Sequence, residues 1–164
     1  MKKSYIIIAA LLIVLIYIIL PLPKEESSQS PQNTQPPHNT GPPQGYTEYS
    51  KRLHWTWNDV DEALETARKE NKLVLVDFWA SWCGWCAKAD REVFPNERVE
   101  DIILTHFLPV KVDTDVYPQT QMKYGVRGLP TIVILDGEGN IKGRIVGFRQ
   151  VDEFVTLLMQ YVGG

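Results

Sequence analysis

Two cysteines three positions apart are the most informative chemical feature of this 164-residue chain. Cys83 and Cys86 are its only cysteines, and their spacing brings both sulfurs together across one turn of a helix. A cysteine in the first turn of a helix meets unpaired backbone N–H groups and the positive end of the helix dipole, which stabilise a thiolate. The pair therefore predicts a reversible dithiol in which Cys83 attacks and Cys86, one turn deeper, resolves.

Three other uses of a Cys-x-x-Cys pair stay open on the residues alone. A zinc site needs about two more ligands, but His38, His54 and His106 show no metal spacing. A covalent haem site needs a histidine after the second cysteine, where this chain has Ala87. A structural disulfide is the third alternative, although a bridge across so short a loop constrains the unfolded chain little. The redox pair is favoured, with no metal and no diffusible cofactor expected.

An apolar run near the N-terminus predicts a membrane-targeting segment. Residues 5–22 are uncharged and mostly aliphatic, and the run is long enough to cross a bilayer. A cleavable signal peptide would have a shorter apolar region and small residues at its cleavage site, whereas this run ends among bulky residues with Pro21 and Pro23. We therefore predict an N-terminal transmembrane helix, residues 1–22, that acts as an uncleaved signal anchor. A removed signal peptide is the alternative.

The sequence after this run predicts a linker followed by one domain. Residues 23–45 are rich in Pro, Ser, Gln, Asn and Thr and lack aromatic residues, so they predict a flexible tether. Residues 46–164 suit one modest globular domain. A net charge of −3 without runs of one sign argues against a nucleic-acid partner. Lys2 and Lys3 favour a cytoplasmic N-terminus, which places the domain outside the cell membrane.

Within the domain, the spacing of hydrophobic residues alternates between the period of a helix and that of a strand, which is typical of an α/β fold. Asn58 is predicted to cap a helix whose apolar face includes Val60 and Ala67 and which closes near Asn71. Near-continuous β-formers over residues 72–79 indicate a strand buried on both faces. The dithiol follows this strand directly. It therefore lies at the carboxyl end of a central strand, where open α/β sheets carry their chemistry.

The remaining periods predict the rest of the α/β domain. A helix beginning near Cys83 is interrupted by Pro95, and a second helical piece capped by Asn96 runs to residue 105. The following elements are a strand at 108–113, a short helix at 118–124 ending at Gly125, an antiparallel hairpin of strands 131–135 and 141–146, and a last helix from Val151.

Several ordered motifs resemble those of thioredoxin. The resemblance runs from about Leu73 to Tyr161 and rests on residues 76–80 (VDFWA), 82–86 (WCGWC), 123–131 (KYGVRGLPT) and 146–147 (VG). It implies the thioredoxin fold, a central mixed β-sheet flanked by helices. Trp85 replaces the proline usual between thioredoxin's cysteines, and residues 92–99 follow the active helix. Both features are more similar to the C-terminal periplasmic domain of the disulfide-interchange protein DsbD and its small membrane-anchored relatives.

The resemblance also implies a role for each residue of a site. Cys83 and Cys86 are the redox disulfide, Asp77 is the buried base for Cys86, and Lys111 forms an ion pair with that carboxylate. The predicted surface for protein substrates consists of Trp82, Gly84, Trp85, Leu129 and a cis-proline at Pro130. The alternatives are an Asp77 that faces water, a Lys111 on the strand surface and a trans Pro130.

These observations predict a membrane-anchored, extracytoplasmic thiol–disulfide oxidoreductase that reduces disulfides in proteins. The buried Asp77 and the DsbD-like segment favour reduction, and a disulfide-forming oxidant is the alternative. In an oxidising compartment a reductant needs an electron supply, for which the resemblance implies a membrane-embedded donor of the DsbD or CcdA type. A non-catalytic binding or scaffold module, holding a client on Trp82, Trp85 and Leu129, is the remaining alternative.

Overall fold

Residues 41–162, the part of the chain that the computed structural model describes, form five strands and five helices. The strands are β1 (Thr56–Trp57), β2 (Leu73–Trp79), β3 (Phe107–Asp113), β4 (Thr131–Leu135) and β5 (Ile141–Val146). The helices are α1 (Val60–Glu70), α2 (Gly84–Glu92), α3 (Glu97–His106), α4 (Pro118–Lys123) and α5 (Val151–Val162). Within these residues the strands form one sheet in the order β1-β3-β2-β4-β5. The predicted α/β fold with a central mixed sheet is confirmed.

The predicted transmembrane helix and most of the predicted tether lie outside the described residues. Between residues 41 and 162, no helix is both long enough and apolar enough to cross a membrane. The boundaries assigned to the anchor, the tether and the domain therefore stay predictions.

Strand β2 lies at the centre of the sheet and determines which residues surround the dithiol. It pairs in parallel with β3 and antiparallel with β4. This register sets Asp77 beside Lys111 on one side and beside Ile132 on the other. Every residue from Val74 to Trp79 is buried, as the run of β-formers predicted.

Alternate side chains of β2 enter two separate hydrophobic layers. Val76 and Phe78 pack on the side that α1 covers, whereas Leu75 and Trp79 pack on the side of α2, α3 and α5. Asp77 shares the second face with Leu75 and Trp79, because side chains along a strand alternate with a period of two. Each fully buried large apolar side chain contributes about 1.5 to 3 kcal/mol relative to an exposed one. Burial of Leu75 and Trp79 therefore places the carboxyl of Asp77 in an apolar layer.

The beginning of α1 differs from the prediction. Asp59 caps this helix, and its carboxylate accepts a hydrogen bond from the Glu62 N–H at 2.9 Å. Asn58, the predicted cap, has a left-handed φ of 61° instead, and its side-chain oxygen accepts from the Asp113 N–H at 2.9 Å. Asparagine and aspartate are equally good caps, so the contact with β3 decides between the two neighbours. The helix ends before Asn71, as predicted.

The other elements follow the predictions closely, with one omission. The helix after the cysteines ends at Glu92, and the side chain of Asn96 caps α3 by accepting from the Arg98 N–H at 3.1 Å. Strands β4 and β5 form the expected antiparallel hairpin. Strand β1 was not predicted, because a segment of two residues is too short to show a pattern of alternating hydrophobic residues. It pairs with β3 at the edge of the sheet.

Candidate active site

The two cysteines lie at the start of α2 and form a disulfide, with their Cα atoms 5.2 Å apart. Cys83 is the N-cap of the helix, and its Sγ accepts a hydrogen bond from the Cys86 backbone N–H at 3.1 Å. When the bond is opened, this N–H and the positive end of the helix dipole stabilise a thiolate on Cys83. The helix start thus supplies the electrostatics that the predicted attacking thiol needs.

Access to the disulfide is restricted, since both cysteines are buried. Cys83 is 6% exposed and Cys86 is 3% exposed, so the order of depth is as predicted but the difference is small. Trp79 lies in the core, whereas Trp82 and Trp85, each directly before a cysteine in the sequence, are exposed and form a rim beside the disulfide. A partner must therefore approach over that rim.

The rim of the disulfide carries two tryptophans, Trp82 at 69% exposed and Trp85 at 58%. The Trp82 indole N–H donates to the Asp115 carboxylate at 2.9 Å, which fixes the orientation of the ring. The Trp85 ring lies 5.4 Å from the ring of Phe148, and the Lys88 ammonium lies over both rings. These contacts hold a large exposed apolar surface in one orientation beside the cysteines.

A groove of about 270 Å³ begins at Trp85. Its walls are Trp85, Leu129, Pro130, Gly147 and Phe148. The Leu129–Pro130 peptide bond is cis, as the resemblance implied. The Pro130 carbonyl accepts from the Gly147 N–H at 2.8 Å, which joins the two sides of the groove. Three of the predicted substrate-binding residues thus share one groove, together with Phe148, which the prediction missed.

A buried lysine and two carboxylates lie in the same core layer as the disulfide. The Lys111 Nζ is 2.6 Å from Asp77 Oδ2 and 2.7 Å from Asp90 Oδ1. Lys111 is fully buried, which excludes the strand-surface alternative, and Asp77 is buried rather than facing water. Asp90 was not predicted, although its position one helical turn after Cys86 is a signal that it faces the same side of α2. We call these three residues the buried ion group.

Aromatic rings complete the surroundings of the lysine. The ammonium lies 4.6 to 5.7 Å from four ring centroids, which belong to Tyr46, Trp55, Trp79 and Phe94. Ring faces attract a desolvated cation. Burial by itself lowers the pKa of Lys111, but the charges of Asp77 and Asp90 outweigh it and raise that pKa above its ordinary value. The lysine is therefore a permanent cation inside the core.

The two oxygens of Asp77 have different surroundings. Oδ2 accepts from Lys111, whereas no group among the described residues donates to Oδ1, which is buried. Burial raises the pKa of Asp77, the Lys111 charge opposes that rise, and the Asp90 charge adds to it. A buried carboxyl with a raised pKa and a free oxygen is suited to accept and return a proton.

Together these features define a class of enzyme. A disulfide at the amino end of a helix, an apolar rim and groove beside it, and a carboxyl with a raised pKa in the same core layer make up a thiol–disulfide oxidoreductase. The Cys83–Cys86 pair is its redox disulfide.

Comparison with known proteins gives the family. A family model for the thioredoxin-like domain matches residues 60–161, and the chain belongs to that family. Thioredoxin from Listeria monocytogenes is 32% identical over 106 residues, which cover 63% of this chain and 97% of that protein. DsbD from Pseudoalteromonas atlantica is 32% identical over 121 residues, 68% of this chain but only 20% of DsbD.

A solved structure agrees with these relatives. The solution structure of a putative disulphide-isomerase from Bacteroides thetaiotaomicron has a TM-score of 0.61 and 28% sequence identity to this chain. The match covers 70% of this chain and 97% of that one. The resemblance to both thioredoxin and the DsbD C-terminal domain is therefore confirmed.

Replacing the buried cation tests the ion group. Lys111→Met leaves two carboxylates in the core without their partner, so we expect a loss of about 3 to 5 kcal/mol of unfolding free energy at neutral pH. Without the ammonium the pKa of Asp77 rises further above its unfolded value. The variant is therefore least impaired in acid, and its stability falls as the pH rises through the folded-state pKa.

Urea unfolding at about pH 5 and about pH 8 measures both effects. Lys88→Met, on the outer side of α2, is the control and should change stability by less than about 0.5 kcal/mol at either pH. An equal loss for Lys111→Met at both values would contradict an electrostatic origin and point to packing alone.

Proposed function

We propose that this protein is a membrane-anchored, extracytoplasmic thiol–disulfide oxidoreductase that reduces disulfides in partner proteins. The observation that carries the proposal is the Cys83–Cys86 disulfide at the start of α2, with Asp77 and its buried cation in the same core layer. The similarity to thioredoxin and to part of DsbD supports it.

Reduction begins with the Cys83 thiolate. It attacks one sulfur of the partner's disulfide, forms a mixed disulfide, and releases the other partner sulfur as a thiolate that takes up a proton. Cys86 then gives its proton to Asp77 and attacks the Cys83 sulfur. This step restores the Cys83–Cys86 disulfide and releases the second partner sulfur, which is protonated in turn. Two electrons pass from the dithiol to the partner.

The exposed surface around the cysteines suits an extended protein segment. A partner strand laid along the groove would meet Leu129 and Pro130 with its backbone and Trp85 with its side chains. Gly84 is exposed, and apart from its chain neighbours and its own helix backbone no heavy atom lies within 4 Å of where a Cβ would stand. The partner's backbone can therefore come close to the start of α2.

Trapping the mixed disulfide tests the reaction. Cys86→Ala leaves Cys83 able to attack but removes the group that releases the partner, so disulfide-linked complexes should accumulate in cells. Non-reducing gels of the full-length variant measure them, and they should disappear on addition of a reductant. Cys83→Ala is the matched control, because it removes the attacking sulfur and should trap nothing.

A scaffold that uses the same surface gives a different result. It would bind clients without a covalent link and would be indifferent to the loss of Cys86. If Cys86→Ala traps no complex and the purified wild type also fails to reduce insulin, the oxidoreductase proposal is wrong.

The direction of electron flow is a second part of the proposal. Two carboxylates face a single cation in the core layer behind the disulfide. Their excess negative charge disfavours a thiolate on Cys86, which faces the same core layer, and this stabilises the disulfide relative to the dithiol and makes the dithiol a better reductant. The similarity to the thiol:disulfide interchange protein DsbD is consistent with this direction.

Equilibration of the purified protein with glutathione buffers measures the reduction potential. We expect a value nearer to about −270 mV, typical of thioredoxin, than to about −120 mV, typical of the oxidant DsbA. Asp90→Asn removes one of the two carboxylates and should shift the potential towards oxidising values, whereas Glu92→Gln on the exposed end of α2 should not. A wild-type potential near that of DsbA would show that the protein forms disulfides.

Membrane attachment is proposed from residues 1–22, since an uncleaved anchor would hold the domain near the outer face of the membrane on the tether of residues 23–45. A reductant outside the cytoplasm has to be reduced again after each reaction. We propose that a membrane-embedded donor of the DsbD or CcdA type supplies the electrons.

Carbonate washing of membranes should therefore fail to extract the protein, and protease added to intact spheroplasts should digest the domain. A cytoplasmic protein in the same sample serves as the control for intact membranes. A soluble form that begins after about residue 20 would instead show a cleaved signal peptide. Protection from protease in intact spheroplasts would overturn the orientation.

A further inference from the structure

Phe148 forms a wall of two neighbouring hollows on the surface. One is the groove beside the disulfide, whose five lining residues are all uncharged. The other has a volume of about 260 Å³ and lies between the end of α2 and the start of α5. Its lining adds charged side chains, Lys88 and Glu92 from α2 and Asp152 from α5. A partner segment that leaves the groove past Phe148 therefore moves from an apolar surface to a charged one.

The Lys88 ammonium lies at the boundary between the two hollows. It is 4.9 Å from the centroid of the Phe148 ring and 5.4 Å from that of Trp85. Aromatic rings attract a cation, so these contacts hold the charge at the edge of the groove before a partner arrives. Such preorganisation reduces the entropy that is lost on binding. The lysine side chain is 36% exposed, and a group from outside can therefore reach it.

The carboxylates of the second hollow leave this charge weakly paired. Among the residues between 41 and 162, the only carboxylate oxygen within 4 Å of the Lys88 Nζ is Glu92 Oε2 at 3.8 Å. That distance exceeds the roughly 2.7 to 2.9 Å of a charge-assisted hydrogen bond, and exposed ion pairs one helical turn apart are weak. Asp152 is bound to Arg98 at 2.6 Å instead. A carboxylate from a partner can therefore take the place nearest to the ammonium.

We propose that this surface selects partner proteins whose disulfide lies in an extended segment with an acidic side chain close to the cysteine, and that Lys88 binds that carboxylate. The inference rests on the proposed function, because it names the class of partner that the same disulfide reduces. Side chains along an extended segment alternate between its two faces. The acidic residue is therefore expected two positions from the partner's cysteine, on the face that the cysteine turns towards the groove.

Peptides that contain one cysteine test this selection. Each cysteine is joined by a disulfide to thionitrobenzoate, and the residues two positions before and after it are both Glu, both Gln or both Lys. The Cys83 thiolate of the reduced full-length protein attacks the peptide sulfur, forms a mixed disulfide and releases thionitrobenzoate as a coloured thiolate. Stopped-flow absorbance therefore gives a second-order rate constant for each peptide.

We expect the Glu peptide to react about threefold faster than the Gln peptide and about tenfold faster than the Lys peptide at low salt, because each change of charge alters one partly exposed ion pair. These ratios should shrink at about 1 M salt, where exposed charges are screened.

Lys88→Glu should reverse the order of the three peptides, whereas Lys88→Arg should keep it, because arginine retains the positive charge. Ratios between peptides cancel any change in the reactivity of the Cys83 thiolate itself. Lys142→Glu is the matched control and should keep the wild-type order. It changes the net charge by the same amount at the start of β5, the end of that strand away from Gly147. Urea unfolding shows whether each variant is folded.

Equal rates for the three peptides with the wild type, or an order that Lys88→Glu leaves unchanged, would overturn the proposal. A contact between two copies of this chain is another possible use of the same surface. In that case sedimentation shows a dimer that Lys88→Glu dissociates, and the rates do not depend on the charge of the peptide. That result also refutes the proposal.

Failure of the underlying function is distinguishable from failure of this inference. After the attack, resolution by Cys86 frees the peptide as a thiol and restores the Cys83–Cys86 disulfide, and mass spectrometry of the quenched mixture separates the two stages. A mixed disulfide that persists in the wild type refutes the proposed function, and with it the claim that acidic segments are substrates. If the peptide is released but the three rates coincide, the function stands and only the inference about Lys88 is wrong.

Discussion

The structure depends on one contact, the Lys111 ammonium between Asp77 and Asp90. It joins three elements, because Lys111 lies on β3, Asp77 on β2 and Asp90 on α2. Desolvating an ammonium costs several kcal/mol unless charges and hydrogen bonds compensate, and here two carboxylates and four ring faces do so. The Lys111 ammonium therefore fixes the helix that carries the cysteines to the central strand, because this charge would be costly if it were buried without its two carboxylates.

The same contact links stability to chemistry. Two ionised carboxylates with one ammonium leave a net negative charge in an apolar layer, which the fold can relieve by placing a proton on Asp77. A buried carboxyl with a raised pKa costs stability when it is ionised, and in that ionised state it is a stronger proton acceptor than an exposed carboxylate. A buried hydrophobic replacement would remove the cost and the function together, which is the usual opposition between stability and activity at such sites.

Sequence patterns predicted the parts of the site whose positions follow from the order of residues along the chain. The strand before the cysteines, Asp77 within it and the exposed Trp85 all follow from period and position, and Lys111 came from the resemblance to thioredoxin. Asp90 was missed although its spacing from Cys86 places it on the same side of α2, and Tyr46 carries no such signal. An aspartate in the polar stretch after Cys86 looks like an ordinary helix surface residue, but in the structure it is buried and paired with the Lys111 ammonium from β3. The segment before β1 shows no hydrophobic period, so the contact of Tyr46 with the core is visible only in three dimensions.

Helix α2 separates the two tasks of the site. Trp85 and Lys88, one turn apart, lie on its outer side with Phe148, whereas Cys86 and Asp90, also one turn apart, face the core. Recognition of a partner therefore uses one face of the helix, and proton and charge control use the other. Because the faces share only the backbone, the outer residues can vary with the partner without disturbing the buried ion group. The disulfide lies at the helix start, where both faces meet.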